Sequence, residues 1–175
     1  MLLLIIATNT TYASAQEDQW SEWVDPDNQF SFLYPSEWTA IPRENRFEGY
    51  DVQFVIDRNG SNLNIDVYNT TATATDLGAI MDRSVEVNGN KTAILSGSPR
   101  LFAGPDYTTY TVSGKPADTV MWVLDNPFFS GDVVVQNIAS IVEDKFVAIN
   151  YFASTGNFDK YLPIVERVIQ SIKIK

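Results

Sequence analysis

Apolar side chains recur at every second position where this chain reads most plainly as strand. Phe30, Phe32 and Tyr34 share one face of such a run, Pro35 stops the ladder by removing a backbone donor, and Trp38 adds a large apolar anchor just beyond. A first strand around Trp20 to Val24 is expected to turn at Asp25-Pro-Asp-Asn28 and pair with Phe30 to Tyr34. A second hairpin is expected at Arg58-Asn59-Gly60-Ser61, because Asn-Gly accepts the positive φ of a two-residue turn. Pairing outward from it sets Ile56 opposite Leu63, Phe54 opposite Ile65 and Val52 opposite Val67. Gln53, Asp57, Asn62, Asn64 and Asp66 then fall on the other face.

The period changes over residues 76–87. Leu77, Ile80, Met81 and Val85 recur at helical spacing, Thr75 or Asp76 offers a cap and Asn88-Gly89 a stop. Further strands are expected at Thr92 to Leu95, Tyr107 to Val112, Val120 to Leu124, Val133 to Val142 and Phe146 to Ala153. The last two would meet through Glu143-Asp144. Phe146 to Phe152 is apolar on both faces, with Val147, Ile149 and Tyr151 on one side and Phe146, Ala148 and Phe152 on the other. Such a strand needs cover on both sides. The stripe Phe158, Tyr161, Leu162, Val165, Val168, Ile169 and Ile172 predicts a C-terminal helix as one cover, capped at Asn157 or Asp159 with Pro163 near its first turn. The helix near residue 80 would be the other. The expected fold is α+β, an antiparallel β-sheet sandwiched between helices, in a single domain over residues 16–175.

Residues 1–15 read differently. Met1-Leu-Leu-Leu-Ile-Ile-Ala7 leads to Ala13-Ser-Ala15, the order of an apolar core and a small-residue cleavage site, so a signal peptide cut between Ala15 and Gln16 is expected, and with it a secreted or extracytoplasmic protein. Beyond Ala15 no apolar run approaches the roughly 18 residues of a membrane span. The net charge is −10, and residues 1–86 carry it, with 14 acids against 4 bases, whereas residues 87–175 hold 8 of each. Such acidity repels phosphate, so nucleic acid is not an expected partner.

The sequence has no His and no Cys. That removes Ser-His-Asp and Cys-His nucleophilic sites, thiolate zinc and imidazole-ligated metals. No phosphate-binding glycine motif is present, and no cofactor is expected. Asp25 and Asp27, with Asn28, are weak candidates for an oxygen-rich cation site, although Asp-Pro-Asp-Asn is also ordinary turn chemistry. In Asn126-Pro-Phe-Phe-Ser-Gly-Asp132 the pair Phe128 and Phe129 sits between turn formers and is a candidate partner contact. Trp20 and Trp23, beside five acids between Glu17 and Asp27, are a second candidate, set against packing of a first strand into the core. Asn59, Asn69 and Asn90 each begin a glycosylation triplet.

Three segments carry a family resemblance. Phe30-Ser-Phe-Leu-Tyr-Pro-Ser-Glu-Trp38, Val112-Ser-Gly-Lys-Pro-Ala117, and the ending from Ala148-Ile-Asn-Tyr-Phe-Ala-Ser154 through Asp159-Lys-Tyr-Leu-Pro163 to Ile169-Gln-Ser-Ile172 resemble the PsbP-like family over about Trp20 to Lys173. This family includes extrinsic proteins of the oxygen-evolving complex, and its fold is shared with a Ran-binding protein. The resemblance implies an exported, non-enzymatic accessory domain that docks on a partner protein or assembly. Metal sites of the photosynthetic members involve histidine, so none carries over to this chain. Two other readings stand beside it: a small carboxylate-dependent hydrolase or lyase, and an extracytoplasmic carrier of a cation or small ligand.

Overall fold

Strand β1 (Trp20–Val24) pairs antiparallel with β2 (Phe30–Pro35), as the alternation predicts. The computed structural model describes residues 19–44, 49–57, 60–80, 100–103, 110–124 and 132–175. The link between β1 and β2 is built by Asp25, whose carboxylate accepts from the backbone N–H of Phe30 at 2.6 Å and of Asp27 at 3.0 Å. Asn28 then takes the left-handed conformation, with φ 57°, that asparagine tolerates. The short β11 (Lys173–Ile174) adds to the other edge of β2, completing a three-stranded sheet.

Among the described residues the larger sheet has eight strands, paired antiparallel. It comprises β3 (Thr39–Glu44), β4 (Gly49–Val55), β5 (Asn62–Asn69), β6 (Arg100–Ala103), β7 (Tyr110–Val112), β8 (Lys115–Leu124), β9 (Val133–Val142) and β10 (Lys145–Ser154). Its order is β3-β4-β5-β10-β9-β8-β6, with β7 also paired to β8. Ser113 and Gly114, at φ 50° and 76°, give the β7–β8 link the double positive φ of a two-residue hairpin. β9 and β10 meet through Glu143-Asp144, as expected. The strands β3, β6 and β11 were not expected from the sequence, and the expected strand at Thr92 to Leu95 lies outside the described residues.

The β4–β5 hairpin departs from the expected register by two residues. Phe54 faces Leu63, Val52 faces Ile65 and Tyr50 faces Val67, and the Ile56 N–H donates to the Ser61 carbonyl at 3.0 Å. The loop is therefore longer than Asn-Gly alone. Asp57 sustains it, accepting from the Ser61 N–H and hydroxyl, each at 3.0 Å, and from the Asn157 side chain at 3.1 Å. Because the slip is even, each side chain keeps its face.

Helix α1 (Thr155–Ser171) lies on one face of the large sheet, beside the three-stranded sheet. Between these layers sits the main core, which takes Phe30, Phe32 and Phe54 from the strands, Val147, Ile149 and Tyr151 from β10, and Val165, Val168 and Ile169 from α1. The helix begins earlier than expected: Ser154 is its N-cap, without a side-chain cap bond, and Asn157 serves Asp57 instead. Pro163 consequently falls mid-helix, on an exposed position where water can reach the carbonyl left without a donor.

The other face carries a smaller core of Leu77, Val120, Trp122, Val135, Ile141 and Phe146. Its described cover is the 3₁₀ turn Ala74–Asp76 followed by helical residues 77–80. Thr73 and Asp76 form a capping box there, and those bonds hold the Asp76 carboxyl below its ordinary pKa. The rest of the helix expected to residue 87 is outside the described residues. What is described is thus an antiparallel sheet with a full helix on one face and a short helical cover on the other.

Candidate functional site

Along β1 the side chains alternate between the core and the outside. Trp23 points inward and meets Phe54 edge-on at 6.5 Å, while Glu22 and Val24 take the opposite face. Across the hairpin Trp20 stands opposite Pro35, Glu22 opposite Leu33 and Val24 opposite Ser31. Leu33 is therefore a diagonal neighbour of both Trp20 and Val24. Val24 is 44% exposed and Leu33 39%. Trp20 is half-buried at the rim of the main core, and the Arg167 guanidinium of α1 lies over its ring, 4.2 Å from the centroid. One helical turn on, the Ser171 hydroxyl accepts from the Leu33 N–H at 2.8 Å. The paired strands thus set two exposed aliphatic side chains beside an indole covered by an arginine.

The remaining sequence candidates are distributed elsewhere. Asp25 is buried with its carboxylate bonded to two backbone amides, and Asp27 is exposed on the same turn. Among the described residues no group of three or more His, Cys, Asp or Glu is placed to hold a metal ion. Asn69 is exposed at the end of β5 and its side-chain oxygen accepts from the Lys145 ammonium at 2.6 Å. Phe128, Phe129, Asn59 and Asn90 lie outside the described residues, as do residues 1–18 with the expected cleavage point. Among the described residues no helix is long and apolar enough to cross a membrane.

One polar constellation was not foreseen. The Tyr110 hydroxyl donates to Glu166 Oε1 at 3.1 Å and accepts from Gln136 Nε2 at 3.0 Å, tying α1 to β7 and β9. Gln136 is 2% exposed and its Oε1 has no partner. Its signal in the sequence was a polar residue, one of three with Asn137 and Ser140, inside the otherwise apolar run Val133 to Val142. Burial pushes the Tyr110 hydroxyl above its ordinary value of 10.0, the Gln136 bond opposes this and the Glu166 charge adds to it. A tyrosine so held is a hydrogen-bond donor at neutral pH and not a base. Tyr151 is raised in the same direction, first by burial and then by the charge of Asp57, while its hydroxyl donates to the Phe158 carbonyl at 2.9 Å.

Both tyrosines have folded-state pKa values above their unfolded ones, so their contribution to stability is intact below about pH 10 and is lost as pH rises beyond it. The urea midpoint is expected to fall as pH rises above about 10 after a level stretch at lower pH, and Tyr110→Phe should remove part of that fall. An alkaline limb unchanged in Tyr110→Phe would contradict the assignment.

The same arrangement of strands and helix recurs in solved structures. Cyanobacterial PsbP (CyanoP) from Synechocystis sp. PCC 6803 aligns with a TM-score of 0.60 at 17% identity, over 98% of this chain and 99% of that one. The chain has the PsbP-like fold. The Ran-binding protein Mog1p of Saccharomyces cerevisiae aligns at 0.54 and 10% identity, over 89% of this chain and 95% of that one. LpqN of Mycobacterium tuberculosis, involved in cell envelope biogenesis, aligns at 0.53 and 13% identity, over 97% and 99%. No protein-family model matches the sequence, and no curated protein matches it. The likeness therefore rests on the path of the backbone, and with it the PsbP-like resemblance of the Phe30 to Trp38 stretch finds its structural counterpart in β2 and the turn beyond.

Proposed function

We propose that this chain is an exported, non-enzymatic docking domain that engages a partner protein or assembly through the outer face of its first hairpin. The observation that carries the reading is the stripe Trp20, Leu33 and Val24 with Arg167 over the indole, exposed aliphatic surface anchored on a fixed aromatic. Contacts of this kind combine an aromatic and an arginine with apolar neighbours, whereas charged groups gather at the rim. Here one charge, Glu22, stands within the stripe itself, opposite Leu33, and calls for a basic group on the partner. The fold supports a binding role, since one protein that shares it is described as Ran-binding, and the envelope role of LpqN fits an extracytoplasmic setting. In this reading the first fifteen residues are removed between Ala15 and Gln16, the helix begun at residues 77–80 continues to complete the sandwich, and Phe128 and Phe129 offer a second contact.

Recovery of the tagged protein from its native host, followed by mass spectrometry, tests the proposal. A partner is expected with the parent chain and its yield should drop about tenfold or more with Val24→Glu/Leu33→Glu, because burying two unpaired carboxylates in a contact is costly. Both positions are exposed, so the melting temperature should barely move. Equal recovery by parent and variant would sink the proposal.

A further inference from the structure

The first hairpin has a free edge as well as an outer face. Just beyond the two ends of β1, the Asp25 N–H donates to the Phe30 carbonyl at 3.2 Å and the Ser36 N–H to the Gln19 carbonyl at 2.7 Å. Residues of an antiparallel ladder alternate, so Ser21 and Trp23 turn their backbone groups toward β2, while Trp20, Glu22 and Val24 turn theirs away from it. The opposing residues of β2 agree. Pro35, opposite Trp20, has no N–H; Leu33, opposite Glu22, gives its N–H to Ser171; and Ser31, opposite Val24, pairs with Lys173 of β11. Among the described residues nothing pairs with the outer edge of β1.

Exposed edges are ordinarily guarded against pairing with other chains by proline, by lysine, by a bulge or by shortness. Such devices mark other edges among the described residues: Pro42 lies in β3, the β6–β8 register shifts between Leu101 and Ala103, and β11 is two residues long. β1 has none of them. Its five residues pair without a break, and it contains no Pro and no Lys. The backbone groups of Trp20, Glu22 and Val24 therefore form a template for one more strand.

The side chains select the occupant. Glu22 is exposed, with no salt-bridge partner among the described residues, in the half of the chain that holds 14 acids against 4 bases. A second copy of this chain is disfavoured, because the antiparallel register that uses all three edge residues sets Glu22 against Glu22. A basic segment is favoured instead.

We propose that the outer edge of β1 accepts an extended segment of a partner protein as an added antiparallel strand, with Lys or Arg opposite Glu22 and apolar residues opposite Trp20 and Val24. This rests on the hairpin being the docking element and names the kind of segment it takes. The residue opposite Glu22 exchanges both backbone hydrogen bonds with it, and its cation lies beside the carboxylate on the outer face.

The probe is the acetylated and amidated peptide Ser-Thr-Val-Thr-Lys-Thr-Val-Thr-Ser, titrated into the nitrogen-15-labelled full chain. A Kd of about 1 mM or tighter is expected. Amide exchange should slow at Trp20, Glu22 and Val24 and stay unchanged at Ser21 and Trp23, whose N–H groups are already bonded to β2. Glu in place of the peptide's Lys, or N-methylation of that Lys amide, should weaken binding about tenfold or more. N-methylation of the next Thr amide, which points away from β1, should not. On the protein side Glu22→Pro removes one edge donor and none of the bonds to β2, so it should fold and lose the peptide, whereas Glu22→Gln keeps the donor and part of the affinity. The proposal is overturned if the peptide does not bind at about 10 mM, if the N-methyl-Lys peptide binds equally well, or if bound peptide leaves the three edge amides exchanging as before. In recovery from the native host, loss of the partner with Glu22→Pro and not with Glu22→Gln supports the edge. Loss with Val24→Glu/Leu33→Glu but not with Glu22→Pro would overturn the edge and leave docking through the outer face standing.

Discussion

Phe54→Ala is expected to destabilise the fold by about 3 to 5 kcal/mol, a large share of the roughly 5 to 15 kcal/mol available to a domain of this size. Phe54 is fully buried, and four other rings converge on it: Trp23 at 6.5 Å, Phe32 at 5.6 Å, Tyr34 at 4.8 Å and Trp38 at 6.3 Å between centroids. These rings come from β1, β2 and the segment just after it, whereas Phe54 belongs to β4 of the large sheet. The side chain is thus the junction between the two sheets. Aromatic pairs add to plain area burial, and the rings held by the hairpin backbone cannot all collapse into the space left behind. Phe54→Leu, which keeps much of the volume, should cost less than half as much. Denaturant unfolding of the three proteins checks the order, and equal stability of Phe54→Ala and the parent would refute the junction.

Asp25→Ala is expected to cost about 2 to 4 kcal/mol by the same measurement. Its carboxylate is buried and holds two backbone N–H groups, those of Phe30 and Asp27, in bonds to a charged acceptor. Such bonds are worth more than neutral ones, and the Phe30 contact is itself buried. Asp25→Asn retains one acceptor oxygen and should recover about half of the loss. The turn also sets the β1–β2 register and hence the diagonal meeting of Leu33 with Trp20 and Val24, so Asp25→Ala should weaken partner recovery as well. A variant as stable as the parent would show that the Asp-Pro-Asp-Asn turn forms without its carboxylate.

Much of the architecture could be read before the structure because burial on one face imposes a period. Phe30, Phe32 and Tyr34 announce β2, and the apolar stripe from Phe158 to Ile172 announces α1. Both faces of β10 being apolar correctly implied cover on both sides. The strands that escaped notice lack that period: β3 is an edge with Pro42 in it and Ile41 turned to solvent, and β11 is two residues long. The β4–β5 register escaped for another reason. Asn-Gly predicts a tight turn locally, but the Asp57 side chain, bonded to Ser61 and to the distant Asn157, extends the loop.

Site residues were legible one at a time and not as groups. Trp20 stood out as a tryptophan in an acidic segment, yet its partners Arg167 and Leu33 are ordinary residues until α1 and β2 bring them beside it.

Hydrogen exchange of the protein alone and in complex with the partner recovered from its host tests the central claim most directly. The docking reading predicts slowed exchange in residues 19–36 and the last two turns of α1, where Arg167 and Ser171 meet the hairpin. Protection confined to other strands, with the hairpin exchanging as it does in the free protein, would contradict it.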